Sequence, residues 1–186
     1  MSVKTRQRET HALYFVTFTC YRWIPLFEIT NLYDNIYKWF HYLKTKEIKI
    51  CGYVIMPNHI HLLIFLPENA PELMLVIGNA KRFMAYEIVK RLKDRHDILE
   101  ILENGVKPPE RKKGKLHQVF EESYDAKECF STEFIEQKLN YIHKNPISGK
   151  WKLADTYIDY PHSSARFYEI GESVAGVEIT HFKPIL

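Results

Sequence analysis

The sequence lacks a long apolar run, and this absence excludes membrane-spanning proteins first. Its longest mainly apolar stretch, from Ile60 to Pro67, is far shorter than the roughly 20 residues that a membrane-spanning helix needs. Residues 1–20 are basic, but they contain neither a long apolar core nor a small-residue cleavage site, so no secretory signal is predicted. We therefore expect a cytoplasmic protein that has no membrane partner.

Cysteine is also scarce. The three cysteines, Cys20, Cys51 and Cys129, are odd in number and widely spaced. They match neither the disulfide framework of a small secreted domain nor the Cys-x-x-Cys pairs of a zinc site. A reducing compartment is the expected location of such a chain.

Charge of either sign is nearly balanced, and a net charge of +3 by itself indicates no particular partner. The distribution is more informative, because residues 105–117 hold five basic side chains against one acidic side chain. The basic residues are Lys107, Arg111, Lys112, Lys113 and Lys115. This local excess could contact phosphates. The alternative is a solvated loop, which the lysine-rich, proline-containing composition also predicts.

The chain does contain enough apolar material for the core of one domain, because hydrophobic residues make up 46% of its 186 residues. Residue patterns predict strands at 14–19, 49–55, 59–66 and 117–124, and helices at 31–44, 71–92 and 130–145. The resulting order is β-α-β-β-α-β-α. Its first six elements predict a ferredoxin-like α+β sandwich, in which helices cover one face of a four-stranded antiparallel sheet.

Two histidines stand one residue apart where the third predicted strand begins, in the stretch MPNHIH at 56–61. Because side chains alternate along a strand, His59 and His61 point to the same face, with Cβ atoms about 7 Å apart. Two imidazoles at this spacing can bind one metal ion, but a third ligand must come from elsewhere. The alternative is a pair of surface or hydrogen-bonded core histidines.

The last predicted helix offers a third ligand. Its core stripe is Ile135, Leu139 and Ile142, and Tyr141 and Asn145 lie one turn apart on the adjacent stripe. The Asn145 carboxamide oxygen could join a metal shell and place the Tyr141 hydroxyl beside it. The alternative for Tyr141 is partial burial beside the core stripe, which is common in a chain with 12 tyrosines.

Four stretches, taken in order, resemble the REP-associated tyrosine transposases, a branch of the HUH (His-hydrophobic-His) single-tyrosine transposase superfamily. MPNHIHLLI resembles the HUH strand, and YIHKNP resembles the tyrosine helix of that branch. YFVTFTCYRWIPLFE and YPHSSARFY extend the resemblance through most of the chain. His117, Tyr160 and His162 stand where the family commonly has tryptophan.

The resemblance implies an enzyme that cleaves single-stranded DNA and transfers the cut strand. Tyr141 would be the nucleophile and would form a 5′-phosphotyrosine. His59, His61 and Asn145 would hold Mg²⁺ or Mn²⁺. The implied partner is a DNA hairpin with a single-stranded flank. Candidate phosphate contacts, for which solvated surface charge is the alternative, are Lys81, Arg82, Arg111, Lys112, Lys113 and Lys115.

The same resemblance implies a catalytic domain at 1–150 and a C-terminal tail at 151–186 that packs on the domain or contacts DNA. A monomer is favoured over a dimer, and a nucleoid-associated location in the cytoplasm is expected. Two other functions stay open at this stage. One is a DNA-binding module without catalysis, and the other is a metal-dependent phosphodiester hydrolase in which water is the nucleophile.

Overall fold

Four antiparallel strands form one sheet in the order β2-β3-β1-β4. A computed structural model describes residues 12–173 and 176–185 of the chain. Residues 1–11 belong to the stretch from which the absence of a secretory signal is predicted, and they lie outside the described residues. Within the described part, no helix is both long enough and apolar enough to cross a membrane.

The strands are β1 (Ala12–Thr19), β2 (Lys49–Ile55), β3 (His59–Leu66) and β4 (Asp125–Glu128). The helices are α1 (Leu26–Ile29), α2 (Tyr33–Thr45), α3 (Leu73–Arg91), α4 (His96–Asn104), α5 (Pro108–Lys112), α6 (Thr132–Lys144) and α7 (Ala165–Ile170). Single 3-10 turns occur at Tyr21–Trp23, Asn145–Ile147 and Lys183–Ile185. The first three predicted strands and all three predicted helices are therefore confirmed.

Side-chain alternation along the strands divides the core into two layers. On one face of the sheet, Val16 of β1 and Leu62 of β3 belong to the cluster that includes the buried residues of α2 and α3. On the other face, Phe15 and Leu63 pack in a second cluster with the buried residues of α6. The helix that carries Tyr141 therefore lies on the face of the sheet opposite the two long helices, together with residues of the C-terminal segment such as Tyr160 and Phe182.

The prediction of a fourth strand at 117–124 is wrong. Residues 118–120 of that segment are buried, but among the described residues the segment makes one isolated bridge, between Phe120 and Cys20. Its backbone bonds are divided between two neighbours, because Gln118 N donates to Leu102 O of α4 at 2.8 Å and Glu121 N donates to Thr19 O of β1 at 2.9 Å. The true β4 pairs with β1 at the sheet edge. Its sequence DAKE has no apolar alternation, since an edge strand buries little of either face.

Two helices between α3 and β4 were not predicted. In α4, Ile98 and Leu102 are buried and spaced one turn apart, which is a helical signal in a short segment. The α5 helix begins with prolines inside the basic stretch, in positions where proline favours the first helical turn. The expected basic loop is therefore partly helical.

The described part of the C-terminal segment packs along the outer edge of β2. Ile55 N donates to His162 O at 2.8 Å, and Tyr53 N donates to Ser164 Oγ at 2.9 Å. These contacts supply partners to backbone groups that an edge strand would otherwise leave open. The segment thus widens the layer of residues on the face of the sheet that α6 covers.

Gly52 allows α6 to approach the sheet closely. The pairing of β2 with β3 shifts register between Ile50 and Gly52, which marks a bulge. A Cβ atom at position 52 would lie 2.6 Å from Leu139 Cδ2 and 3.6 Å from Ser164 Oγ. Because glycine has no Cβ atom, position 52 leaves room for the buried face of α6.

We predict that Gly52→Ala lowers the free energy of unfolding by about 1–3 kcal/mol, because Leu139 must move out of an already packed site. Gly78→Ala is the matched control, since a Cβ at that exposed α3 position meets nothing within 4 Å. It should stabilise the protein by about 0.5–1 kcal/mol through helix propensity. Denaturant unfolding measures both changes. Equal effects of the two substitutions would contradict the packing role of Gly52.

Candidate functional site

His59 and His61 share one face of β3 and lie together at its beginning. Both side chains are buried, with 4% exposure each, and their ring centroids are 4.7 Å apart. The strand register places His61 opposite Thr17 and His59 opposite Thr19 of β1. The period of two that predicts a shared face therefore holds in the structure.

The tautomer of His59 follows from its neighbour Asn58. The Asn58 carboxamide is buried, and its Nδ2 donates to the carbonyl oxygen of Trp23 at 2.8 Å. That bond leaves Asn58 Oδ1 as an acceptor, 2.7 Å from His59 Nδ1. His59 Nδ1 must then carry the proton, so the lone pair is on Nε2.

His61 is oriented from both sides of its ring. Its Nδ1 is 2.6 Å from Thr17 Oγ1, and its Nε2 is 3.3 Å from Asn145 Nδ2. With the amide as donor, Nε2 accepts and the Nδ1 proton is donated to the Thr17 hydroxyl. A rotation of the Asn145 carboxamide by about 180° would place Oδ1, instead of Nδ2, beside His61 Nε2.

Burial keeps both rings neutral. Loss of water lowers the pKa of His59 to about 4, an effect that a hydrogen bond with Asn145 partly offsets and the charge of Lys150 reinforces. Loss of water also lowers the pKa of His61 to about 3, with smaller contributions from His59 and Lys138. A neutral imidazole with a free Nε2 is the form that binds metal ions.

Tyr141 lies beside this pair on the helix that packs over it. Ser131 caps the N-terminus of helix α6, because its Oγ accepts from Phe134 N, and the buried residues of the helix face the sheet. The Tyr141 side chain is half exposed, and its ring centroid is 5.0 Å from that of His61. The structure therefore brings together His61, Asn145 and Tyr141 as the helical spacing predicts.

Lys138 was not predicted as a site residue, although it lies on the same helical stripe. Its ammonium group is 4.8 Å from the ring centroid of Phe15 and 5.0 Å from that of Phe134. Loss of water, and then the charge of Lys127, lower the pKa of Lys138. Lys138 thus places one cation beside Phe15, whose ring also packs against those of His61 and Tyr141. The sequence signal for Lys138 is its spacing of three residues from Tyr141, which puts both side chains on one side of the helix.

Trp23 was also missed. Its side chain is 58% exposed, and its ring centroid is 5.7 Å from that of His59. Arg22 and Trp23 both have positive φ, at 52° and 59°. This conformation costs about 1–2 kcal/mol for each residue that is not glycine. No local sequence pattern predicts this contact, because it depends on how the chain turns after β1.

The candidate DNA-contacting residues divide into two groups. A cleft of about 610 Å³ between α3 and residues 110–122 is lined by Lys81, Arg82, Lys113 and Lys115, together with three glutamates. Arg111 and Lys112 lie on α5 and do not line it. The amine of Lys81 is engaged locally, since it donates to Glu121 O at 2.7 Å. Burial lowers the pKa of Lys81 to about 8.

The donors of the site suit a hard or borderline divalent cation. Across residues 12–173 and 176–185, no three side chains among His, Cys, Asp and Glu form a metal-binding group. The third donor beside the two imidazoles would be the Asn145 amide, which lies 3.3 Å from His61 Nε2 through its Nδ2. Each histidine has an oxygen partner on Nδ1, the arrangement that usually orients metal-binding imidazoles. His59, His61 and Asn145 therefore fit the mixed nitrogen and oxygen set expected for Mn²⁺ or Mg²⁺.

Comparison with solved structures finds a similar chain in a REP-associated tyrosine transposase bound to a REP hairpin. The two chains are 20% identical, the match covers 98% of this chain and 96% of that chain, and the TM-score is 0.59. This chain has the same fold as that transposase. The predicted ferredoxin-like α+β architecture, with a tyrosine-bearing helix added, is therefore confirmed.

A second solved structure, a candidate transposase from Deinococcus radiodurans R1, is 14% identical. The match covers 77% of this chain and 97% of that chain, but the TM-score of 0.35 is too low to carry an argument. No protein-family model and no curated protein matches the sequence.

We predict that Thr17→Val lowers the free energy of unfolding by about 1–3 kcal/mol in metal-free protein. Valine has the shape of threonine but removes the hydroxyl that bonds Nδ1 of the buried His61. Thr17→Ser keeps the hydroxyl and should cost less. Denaturant unfolding measures both, and a serine variant as unstable as the valine variant would exclude a role for this hydrogen bond.

Proposed function

We propose that the protein cleaves single-stranded DNA and transfers the cut strand, with Tyr141 as the nucleophile. One observation carries the proposal. A half-exposed tyrosine lies 5.0 Å, between ring centroids, from one of two buried histidines on the same sheet face. Asn145, one turn further along α6, contacts the same histidine. The Tyr141 side chain and three side chains that could bind a metal ion thus come from two elements that the fold holds in contact, and this arrangement supports the proposal.

His59, His61 and Asn145 would hold one Mg²⁺ or Mn²⁺, and the bound ion would offset negative charge on a phosphodiester oxygen. The Tyr141 oxygen attacks phosphorus as it loses its proton to water. The bond from phosphorus to O3′ breaks, and O3′ takes up a proton. The products are a 5′-phosphotyrosine and a free 3′-hydroxyl. Attack by a 3′-hydroxyl on the phosphotyrosine reverses these changes and rejoins a strand without ATP.

The proposed substrate is a DNA hairpin with a single-stranded flank. The structurally similar transposase is bound to a REP hairpin, and the shared fold supports extending that class of partner to this chain. The cleft lined by Lys81, Arg82, Lys113 and Lys115 supplies cations that would contact DNA phosphates. A cytoplasmic, monomeric enzyme that acts on the nucleoid is part of the same proposal.

We predict that Tyr141→Phe abolishes the covalent adduct but keeps hairpin binding, because only the hydroxyl is removed. The parent protein should form one adduct at a single DNA position when Mg²⁺ or Mn²⁺ is present. The measurement is a denaturing gel of protein mixed with a 5′-tailed hairpin. Cleavage by Tyr141→Phe at a comparable rate would indicate a hydrolase that uses water. DNA binding by the parent without adduct or cleavage would indicate a binding module.

The histidines have a different predicted role, which His59→Ala isolates. This variant should also lose cleavage, but by losing the ion, so its Mn²⁺ affinity in calorimetry should fall by more than about tenfold. Tyr141→Phe should bind Mn²⁺ as the parent does. His41→Ala, at an exposed position of α2, is the matched control. Unchanged Mn²⁺ affinity in His59→Ala would exclude this metal site.

We predict that neutral residues at Arg111, Lys112, Lys113 and Lys115 flatten the salt dependence of DNA binding by roughly one unit for each lost phosphate contact. Lys113 is paired with Glu110 and Arg111 with Glu103 O, so Lys112 and Lys115 should contribute most. The double variant Lys112→Gln, Lys115→Gln tests this directly.

The matched control for that double variant is Lys90→Gln, Lys93→Gln, which removes the same charge near the end of α3. Fluorescence anisotropy at several salt concentrations gives each slope. Equal slopes for the two double variants would show that residues 105–117 are only a solvated connection.

A further inference from the structure

Trp23 is the most exposed of the three tryptophans of the chain, and it lies at the rim of the candidate site. Its side chain is 58% exposed, whereas Trp39 and Trp151 are only partly exposed. One edge of its ring system meets the His59 ring, with centroids 5.7 Å apart and planes inclined by 66°. More than half of a large aromatic surface therefore stays open to solvent beside the two buried histidines.

The position of Trp23 is fixed rather than left to a loose loop. Its N–H donates to Cys20 O at 3.0 Å, and its carbonyl accepts from Asn58 Nδ2 at 2.8 Å. The preceding residue, Arg22, donates its N–H to Glu121 Oε1 at 2.8 Å. These bonds hold two consecutive residues in the left-handed region, at φ of 52° and 59°. Such backbone conformations persist where surrounding contacts enforce them, and they concentrate at binding sites.

One buried side chain ties this turn to the candidate site. Asn58 bonds the carbonyl of Trp23 through Nδ2 and the Nδ1 of His59 through Oδ1. Any shift of the turn would therefore disturb the carboxamide that orients His59. The indole is held at a defined place relative to the point where His59 and His61 meet.

We propose that Trp23 is a stacking platform for one unpaired base of single-stranded DNA, next to the phosphodiester that lies at His59, His61 and Tyr141. The identity of the DNA rests on the proposed function. An indole face stacks with any base, so this contact would hold the strand without reading its sequence. Arg22, next to Trp23, is exposed, and Lys150 and Lys138 act on the pKa of His59 and His61; these three cations, against the carboxylate of Glu121 at Arg22 N, suit a phosphate chain.

The test is a double-substitution cycle between protein and DNA, performed in full-length Tyr141→Phe so that binding is measured without chemistry. The probes are 5′-tailed DNA hairpins, either intact or abasic at one tail position at a time. With Trp23 present, one abasic position should weaken binding roughly tenfold, the loss expected for one base stacked on an aromatic ring. When the protein also carries Trp23→Ala, intact DNA should bind as weakly as the abasic DNA binds the protein with Trp23. The same abasic position should then cause no further loss of affinity.

Trp23→Phe guards against a folding artefact, because it keeps an aromatic ring on the same backbone. It should retain most of the affinity, yet lose the quenching of tryptophan fluorescence that bound DNA causes in the protein with Trp23. Tyr42→Ala is the matched control, since Tyr42 is 56% exposed on α2, on the opposite face of the sheet. It should change neither affinity nor quenching.

Additive effects of Trp23→Ala and every abasic position would overturn the proposal, as would equal quenching in Trp23→Phe and its parent. The result is separable from the proposed function. Coupling to one base without any Tyr141 adduct would leave the platform standing and remove the chemistry. An adduct in the protein with Tyr141, together with additive effects of Trp23→Ala and the abasic positions, would support the chemistry and exclude the stacking platform.

Discussion

The packing of α6 against β2 and β3 positions everything else in the candidate site. Ile135, Leu139 and Ile142 are buried on that face of the sheet, and Gly52 lets the helix come close enough for Leu139 to pack. Since residues three and four apart share a side of a helix, this buried stripe determines where Tyr141 and Asn145 project. The distance between hydroxyl and histidines is therefore set by ordinary core packing, on elements that are more rigid than a loop.

Strand β3 supports this arrangement because it serves two layers at once. Ile60 and Leu62 face the layer of α2 and α3, while His59 and His61 face α6. Burying two imidazoles costs solvation, which is why the pKa of each ring falls far below its usual value. The cost is limited by oxygen partners on both Nδ1 atoms. These bonds also fix where the two Nε2 atoms point, so the same contacts stabilise the fold and orient both rings.

The sequence predicts those residues of the site whose positions follow from the repeat of a strand or a helix. A period of two puts His59 and His61 on one face, and a helical period puts Tyr141 and Asn145 on one side. It does not predict Thr17, because register between β1 and β3 decides which hydroxyl meets His61. It does not predict Trp23 either, since two residues with positive φ turn the chain back toward His59. The misplaced fourth strand has a similar origin. Burial of residues 118–120 comes from tertiary contacts, whereas the pairing at Asp125–Glu128 leaves little trace in residue type.

The electrostatics of the site agree with the phosphodiester substrate that the proposed function requires. Among the described residues, no Asp or Glu joins the two histidines in a metal-binding group, and the third donor is a neutral amide. A divalent cation held by neutral ligands keeps its full charge, whereas carboxylate ligands would offset much of it. Lys138 adds a further cation over the rings of Phe15 and Phe134. A phosphodiester brings the negative charge that such a site lacks, and it is also a group on which a tyrosine hydroxyl can form a covalent bond that preserves the energy needed for rejoining. The charge of the site and the chemistry of the proposed nucleophile, Tyr141, therefore agree with the proposed class of substrate.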